Sequence, residues 1–357
     1  VIDAMDGVDE PDERDIIEMV GTFYGAFSLG RFQLEGLRAR APSDGSAPNA
    51  VDMARLTIAD LSADGLGEIS IDDLALTGPN GEDVQIGRYA FEGIGFPPLA
   101  ALMDLERAVL EDDVASILKA LPTLQRIVQN GVVVIVPDEG TDFSLASSTL
   151  EMDGHIGSVP TQIRTDIQQM RINLEALDPQ ERETFDQLGL DEITTDAQAQ
   201  VSWRRDTTDV DLNFLVDVDQ LGSLTGEGVI GNIPAIVFDE PSQVSLFALL
   251  GATLNSFALR YEDAGAVERA IVANASQEGL GYEAMELRWK GMVPVLLSEL
   301  DDAELAGEIA DALTAVIERG APFAISATAM PPLPLAALSA SRPAALARLF
   351  EFQVENR

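Results

Sequence analysis

The chain has 357 residues, of which 61 are acidic and 22 are basic, and its formal net charge is −39. This charge repels phosphate backbones and therefore argues against a nucleic-acid partner. The absence of cysteine excludes thiol catalysis, disulfides and thiolate metal sites, and a single histidine, His155, excludes histidine-rich metal sites. The hydrophobic content of 46% is sufficient for a buried core.

The pattern along the chain predicts three regions. Residues 1–20 are acidic, and we predict a flexible segment there. Residues 21–131 hold a first β block followed by helices. Residues 132–357 hold a second β block followed by a helical region and closing strands.

In the first β block, hydrophobic and polar residues alternate between clusters of Gly, Asp and Pro, which predicts successive strands. Pro97-Pro98 ends that block, and helical spacing follows until Asn130-Gly131, which we interpret as the end of a helical stretch. Alternation then resumes, and helical spacing returns after Glu240. The predicted strands cover 32–40, 54–61, 68–77, 84–94, 132–136, 142–152, 162–177, 194–205, 209–217, 224–238, 256–261, 323–330 and 351–354.

Strands and helices thus occur in blocks rather than in single alternation, which predicts an α+β fold instead of a doubly wound sheet. We expect strongly curved, mainly antiparallel sheets that clasp amphipathic helices, in two units of a β block plus helices. The expected helices lie within residues 97–130 and 240–319, with a further Pro-broken helical stretch at 331–350.

A six-residue pattern recurs inside the predicted strands: apolar, any, apolar, two mostly small or acidic residues, then Leu or Ile. The alternating apolar residues face one side, and the small or acidic pair permits a bulge or bend. Repetition of such a bend curls a sheet around whatever its apolar face covers. An ordinary antiparallel sheet with one solvated face is the alternative interpretation. The copies are 32–37, 56–61, 69–74 and 89–94, with looser ones at 172–177 and 216–221.

The strand repeats at 54–78, with their Asp-Leu and Gly punctuation, resemble those of large bacterial envelope proteins of the AsmA-like kind. The β block followed by amphipathic helices is similar in outline to the tubular lipid-binding (TULIP) superfamily. The segment 257–297, with Leu-Arg-Tyr-Glu-Asp before a helix pair, resembles uncharacterised secreted proteins of alphaproteobacteria. No catalytic or binding residue follows from these resemblances. A start at Val1 without Met and the lack of cysteine also favour a periplasmic or secreted bacterial protein whose signal sequence is absent from the chain.

Catalytic signatures are poorly supported. Residues 226–231 match the dinucleotide fingerprint, but an extended, Pro-containing segment follows where the motif requires a helix. Asp209 and Asp211 share one strand face, which fits a solvated surface or a calcium site. His155 has turn-forming neighbours, and the chain contains no Gly-x-Ser-x-Gly elbow. We therefore predict no catalytic residue, no cofactor and no metal site.

The helical segments after Glu240 are richer in apolar residues than one buried stripe requires. This surplus favours a non-enzymatic envelope protein that binds or carries a lipid or another apolar small molecule. A structural or assembly module with a filled interior and an envelope protein partner is the first alternative, and a carboxylate- or Ser-dependent hydrolase is the second. No apolar run approaches the ~18 residues that a membrane helix needs, so no membrane-spanning segment is predicted. The candidate ligand-lining residues are Leu246, Leu249, Leu250, Val293, Leu296 and Leu297.

Overall fold

The computed structural model describes residues 28–40, 50–137, 140–239, 248–300, 302–340 and 348–355. In these residues, thirteen strands form one antiparallel sheet in which every strand pairs with its neighbours in sequence. This confirms the prediction of an α+β protein with antiparallel strands. The predicted flexible segment 1–20 and Leu246 lie outside the described residues. The strands are β1 (Leu29–Arg40), β2 (Ala50–Ser62), β3 (Gly65–Thr77), β4 (Asp83–Gly95), β5 (Thr123–Val136), β6 (Thr141–Asp153), β7 (Gln162–Asn173), β8 (Glu192–Arg204), β9 (Asp209–Val218), β10 (Gly222–Gly231), β11 (Thr253–Asp263), β12 (Phe323–Pro334) and β13 (Phe350–Glu355).

The helices lie in the connections between strands. Because successive strands run in opposite directions, α1, α2, α4 and α8 lie at the end of the sheet where β1 begins, which we call the first end. The others lie at the second end, where β1 ends. No described helix is long and apolar enough to cross a membrane. The helices are α1 (Leu99–Leu110), α2 (Val114–Lys119), α3 (Pro179–Leu188), α4 (Ile236–Asp239), α5 (Ala266–Glu278), α6 (Tyr282–Leu296), α7 (Ala303–Arg319) and α8 (Leu335–Ala340).

The helices pack chiefly against one another: α1 with α2, α5 with α6, and α6 with α7. At the second end, Ile271 and Met285 are almost fully buried in a small core with Trp289 and Ile317. The Asp302 side chain caps α7 by accepting hydrogen bonds from the next amides of the first turn, as an N-cap residue does. The helical region at the second end thus has its own core beside the sheet.

Three predicted boundaries are wrong. Asn130-Gly131 does not end a helical stretch, because β5 continues through it, with Asn130 and Val132 both paired to β6. The predicted division into units 21–131 and 132–357 stays a prediction, although β5 crosses the boundary between them. The predicted strand 224–238 ends at Gly231. The predicted strand 323–330 continues to Pro334, through prolines that we expected to break a helix, because Leu333 and Pro334 still pair with β11 after a register shift.

A left-handed residue stands at the fifth position of each close copy of the repeat. Gly36, Asp60, Asp73 and Gly93 have φ of 69°, 56°, 50° and 66°, in the left-handed region. At each of these positions, the left-handed residue and the residue opposite it on the neighbouring strand are both unpaired. The register of the two strands is the same on either side. Gly36, for example, lies between the pairs Glu35–Arg55 and Leu37–Met53.

These unpaired positions form two rows across the sheet, which we call kink rows. In each row, a left-handed residue on one strand stands opposite a small or polar residue on the next. Close approach requires the small partner: a Cβ on Gly67 would lie 2.9 Å from the Cβ of Asp60. The first kink row is Gly36, Ala54, Asp73, Gly87, Gly131, Ala146 and Gln169, and the second kink row is Gly30, Asp60, Gly67, Gly93 and Gln125.

Candidate functional site

One face of the sheet is apolar from β1 to β13. Side chains along a strand point alternately to the two faces, so cross-strand partners share a face. One line of such partners runs between the kink rows in β1–β5 and continues across all thirteen described strands, over twelve strand spacings or about 58 Å. We call the surface around it the apolar face. The line is Phe32, Ile58, Ile69, Phe91, Ile127, Leu150, Thr165, Ala199, Phe214, Gly226, Leu259, Ile325 and Val354.

The apolar face is incompletely covered by the described residues. Phe214, Leu224 and Leu259 are 37–39% exposed, and Phe32 at the edge is 46% exposed. A monomer seldom leaves a contiguous apolar surface open to water unless the surface binds something. Aromatic rings also meet on this face: Tyr89 contacts Phe91 edge to face at 5.0 Å between centroids. The apolar face is therefore a candidate binding surface.

The opposite face, which we call the polar face, carries ion pairs in its first half. Arg88 on β4 lies 2.7 Å from Glu68 and 3.0 Å from Asp72 on the neighbouring strand, and 3.7 Å from Glu92. The pKa of Glu68 is lowered by the Ser70 hydroxyl and by the Arg88 guanidinium, because both favour the charged carboxylate. The network fixes charged side chains on a sheet surface.

Along the second half of the polar face, uncharged amides and hydroxyls replace most of the ion pairs. Three neighbouring cavities of about 360, 240 and 200 Å³ lie there and share Glu227 in their linings. Gln200 and Asn213 line two of them. The polar face thus offers shallow, wet depressions rather than an apolar site.

The largest of the described cavities lies at the first end of the sheet, beside α1 and α2, and measures about 640 Å³. We call it the helix-hairpin cavity. This volume is typical of small-molecule sites, which are mostly apolar with a few polar groups. Its lining is formed by the end of β4, both helices, the start of β5 and the β6–β7 loop, and includes Phe96, Pro97, Ala100, Lys119, Leu121 and Ser158.

The predicted ligand-lining residues do not meet in one place. Leu249 and Leu250 precede β11 at the first end of the sheet, whereas Val293, Leu296 and Leu297 follow β11 at the second end. The eleven residues of β11 span roughly 33 Å at the usual rise of a strand, which separates the two groups. Val293 is buried at 5% exposure, while Leu296 is 71% exposed. Their predicted contact with a ligand stays a prediction.

Sequence reasoning did not single out Phe214, Leu224 and Leu259 on the apolar face, or Lys119 in the helix-hairpin cavity. The signal for the former was present in the strict alternation of β9, β10 and β11. The signal for Lys119 was its rarity, since the chain has only one other lysine, Lys290. Neither signal shows which residues the fold brings together in one site.

The structure places the weaker sequence motifs in ordinary elements. Residues 226–231 end β10 as a strand, and the short α4 begins only at Ile236. Asp209 and Asp211 pair with Arg204 at 3.1 and 2.9 Å. His155 lies in the β6–β7 loop. Within the described ranges, no group of three or more His, Asp or Glu residues is placed to hold a metal ion.

Comparison with known proteins adds one finding. A family model described only as an uncharacterised protein matches residues 215–357, which begin inside β9 and include the helical region at the second end. This is less than half of the chain. No curated protein matches it. The resemblances to AsmA-like envelope proteins and to the TULIP superfamily therefore stay predictions.

Proposed function

We propose that this protein is a non-enzymatic protein of the bacterial periplasm or cell exterior that binds or carries a lipid-like apolar ligand on the apolar face of its sheet. The observation that supports this most directly is the line from Phe32 to Val354, which is apolar except at Thr165 and Gly226 and whose larger members remain partly open to water. Covering that surface with an apolar chain removes it from water, which lowers the free energy.

The size of the effect is sufficient for useful affinity. Each buried methylene contributes about 0.8 kcal/mol, before the cost of immobilising the chain. A dozen methylenes lying across several strands therefore supports micromolar binding without an ionic contact. We further propose that the sheet curves at its kink rows and so follows the contour of the ligand, which the left-handed residues Gly36 and Gly93 favour.

The test begins with the purified protein. Native mass spectrometry with solvent extraction should detect a copurified lipid, and the neutral fluorescent probe N-phenyl-1-naphthylamine should bind to the delipidated protein. Leu259→Gln should weaken probe binding about fivefold, because it removes part of one apolar contact from the face. Arg260→Gln is the matched control, since the next residue on β11 lies on the polar face, and it should leave probe binding unchanged.

Absence of both copurified lipid and probe binding would contradict the proposal. An envelope scaffold is then the next alternative, with a protein partner or a second copy of the chain on the apolar face. Native mass spectrometry of the same sample separates these two cases, because a second copy doubles the observed mass.

A further inference from the structure

We propose that the helix-hairpin cavity is a second binding site, specific for the carboxylate end of a single-chain amphiphile such as a medium-chain fatty acid, with the Lys119 ammonium as its cationic partner. None of its lining residues belongs to the apolar line between the kink rows. Binding at this site is therefore independent of the function proposed for the apolar face.

The cavity has the composition that an amphiphile needs. Phe96, Pro97 and Leu121 supply apolar walls, and Ala100 and Ala101 leave room between them. The outer side of the same helix pair is also apolar and open to water. Leu102, Met103, Leu110 and Val114 are each 45–79% exposed, so an alkyl chain that extends beyond the cavity still meets apolar surface.

Lys119 supplies the charge. Within the described residues it forms no ion pair, although 61 acidic residues compete for 22 basic ones. The only other charged residue of the lining, Asp104, is already paired with Arg107 at 2.8 Å. A bound carboxylate thus finds an available ammonium and a neutralised neighbour, which favours one negative charge at this position.

The start of α1 adds a smaller contribution. Pro98 precedes the helix and gives no side-chain cap, and the first turn holds no acidic residue. The amides at this end therefore have no compensating negative charge, and a carboxylate in the cavity lies on the favourable side of the helix dipole. In a protein with a net charge of −39, a cavity that holds an ammonium without an ion pair among the described residues favours an anionic ligand over the acidic surface around it.

The experiment compares decanoate with decanol by isothermal titration calorimetry in about 0.15 M salt, where the Debye length of about 8 Å screens the distant acidic residues. Wild-type protein should bind decanoate about fivefold more tightly than decanol. Lys119→Met should abolish this preference while decanol binding stays within twofold. Lys119→Arg should retain it.

Two further variants control for folding and for position. Lys290→Met removes the same charge from the only other lysine, which pairs with Glu286 and Glu318 on the helices of the second end, so the preference should persist. Ala100→Trp fills the cavity from an exposed helix position and should weaken both ligands at least tenfold.

Equal binding of the two ligands by the wild type, a preference that survives Lys119→Met, or binding unaffected by Ala100→Trp would each overturn the proposal. So would a lack of binding by both ligands. The naphthylamine probe and the Leu259→Gln variant report on the apolar face separately, so failure of one site is distinguishable from failure of the other.

Discussion

The two halves of the sheet interrupt their strand pairing in different ways. In β1–β7, a left-handed residue and a small or polar partner leave the ladder together, and pairing resumes in the same register. Within strands β8–β13, positive φ occurs only at Gly222, the first residue of β10, and the irregularities are register shifts, such as the extra residue that β11 has relative to β10 between Leu254 and Ser256. A paired kink requires a suitable residue on each of two neighbouring strands, whereas a bulge requires one extra residue in one strand.

The polar faces of the two halves differ as well. In the first half, Arg88 and Arg126 connect carboxylates across successive strands. In the second half, the side chains of Gln200, Asn213 and Glu227 form no side-chain hydrogen bond or ion pair among the described residues. Side chains that form ion pairs across strands stabilise the sheet and hold one another in place, whereas unpaired side chains do not. We therefore expect the side chains on the polar face of the first half to be the more rigid.

The largest effect should come from filling the small side of a kink. Gly67→Ala places a Cβ 2.9 Å from the Cβ of Asp60, and backbone must move to relieve the contact. We expect the free energy of unfolding, measured by urea denaturation, to fall by about 1–3 kcal/mol. Gly30→Ala is the matched control, because it occupies the same kink row on the edge strand with no atom within 4 Å. Equal effects of the two substitutions would show that close approach does not limit the kink.

Removal of the ionic network should have the next largest effect. Arg88→Met leaves Glu68, Asp72 and Glu92 close together without their shared cation, and should lower the free energy of unfolding by about 1–2 kcal/mol. Arg260→Met, in the second half, breaks a more exposed pair with Glu262 and should cost at most about 0.5 kcal/mol. Similar losses in urea denaturation would remove the distinction between the two polar faces.

Backbone strain in the left-handed region, without a steric clash, should have a smaller effect on the free energy of unfolding. Gly36→Ala adds a methyl group in open space at φ 69°, so its cost of about 1 kcal/mol reports the backbone conformation only. Gly228→Ala in β10 is the comparison from the other half. Its φ is not positive and the nearest atom to a new Cβ is 3.8 Å away, so stability should change by less than about 0.5 kcal/mol. Thermal unfolding monitored by circular dichroism measures both, and a larger loss at Gly228 would contradict the comparison.

The smallest effect should be visible in the pH dependence. The pKa of Glu68 is lowered in the folded state, so its carboxylate stabilises the fold above the ordinary glutamate range, near pH 4.3, and this contribution disappears as the pH falls through the lowered pKa. Glu68→Gln should therefore lose less stability than wild type between pH 5 and pH 3, by under about 1 kcal/mol. Asn213→Ser, which changes a side chain of the polar face without adding or removing an ionisable group, should follow the wild-type curve. Parallel curves for all three proteins would contradict the assignment.

Much of the sheet could be predicted from local pattern. Alternation predicted β1–β4, and the acidic or glycine residue of the repeat predicted where the left-handed residues Gly36, Asp60, Asp73 and Gly93 interrupt the strands. The same reasoning was wrong at Asn130-Gly131, because a left-handed glycine inside a strand has the local composition of a turn. Only its position opposite Gly87 on the neighbouring strand identifies it as a kink.

The candidate sites were less accessible from sequence. Apolar spacing identified Leu250 and Leu296 as surplus, but spacing carries no information on which end of β11 each residue occupies. The helix-hairpin cavity depends on the arrangement of α1, α2 and the β6–β7 loop, including Ser158, which is almost forty residues from Lys119 in sequence. Such proximity follows from tertiary packing rather than from periodicity.

The pairing of each strand only with its sequence neighbours has a consequence for how the molecule comes apart. With no strand inserted between distant partners, loop closure between neighbouring strands is short except where helices intervene, as in the stretch from α5 to α7 between β11 and β12. Each strand is then stabilised mainly by its two neighbours, as each repeat is in a repeat protein. No described strand pairing joins the first strand to the last. Opening from β1 or β13 breaks only one ladder at a time, so we expect protection of backbone amides from hydrogen exchange to rise from both margins toward the middle strands.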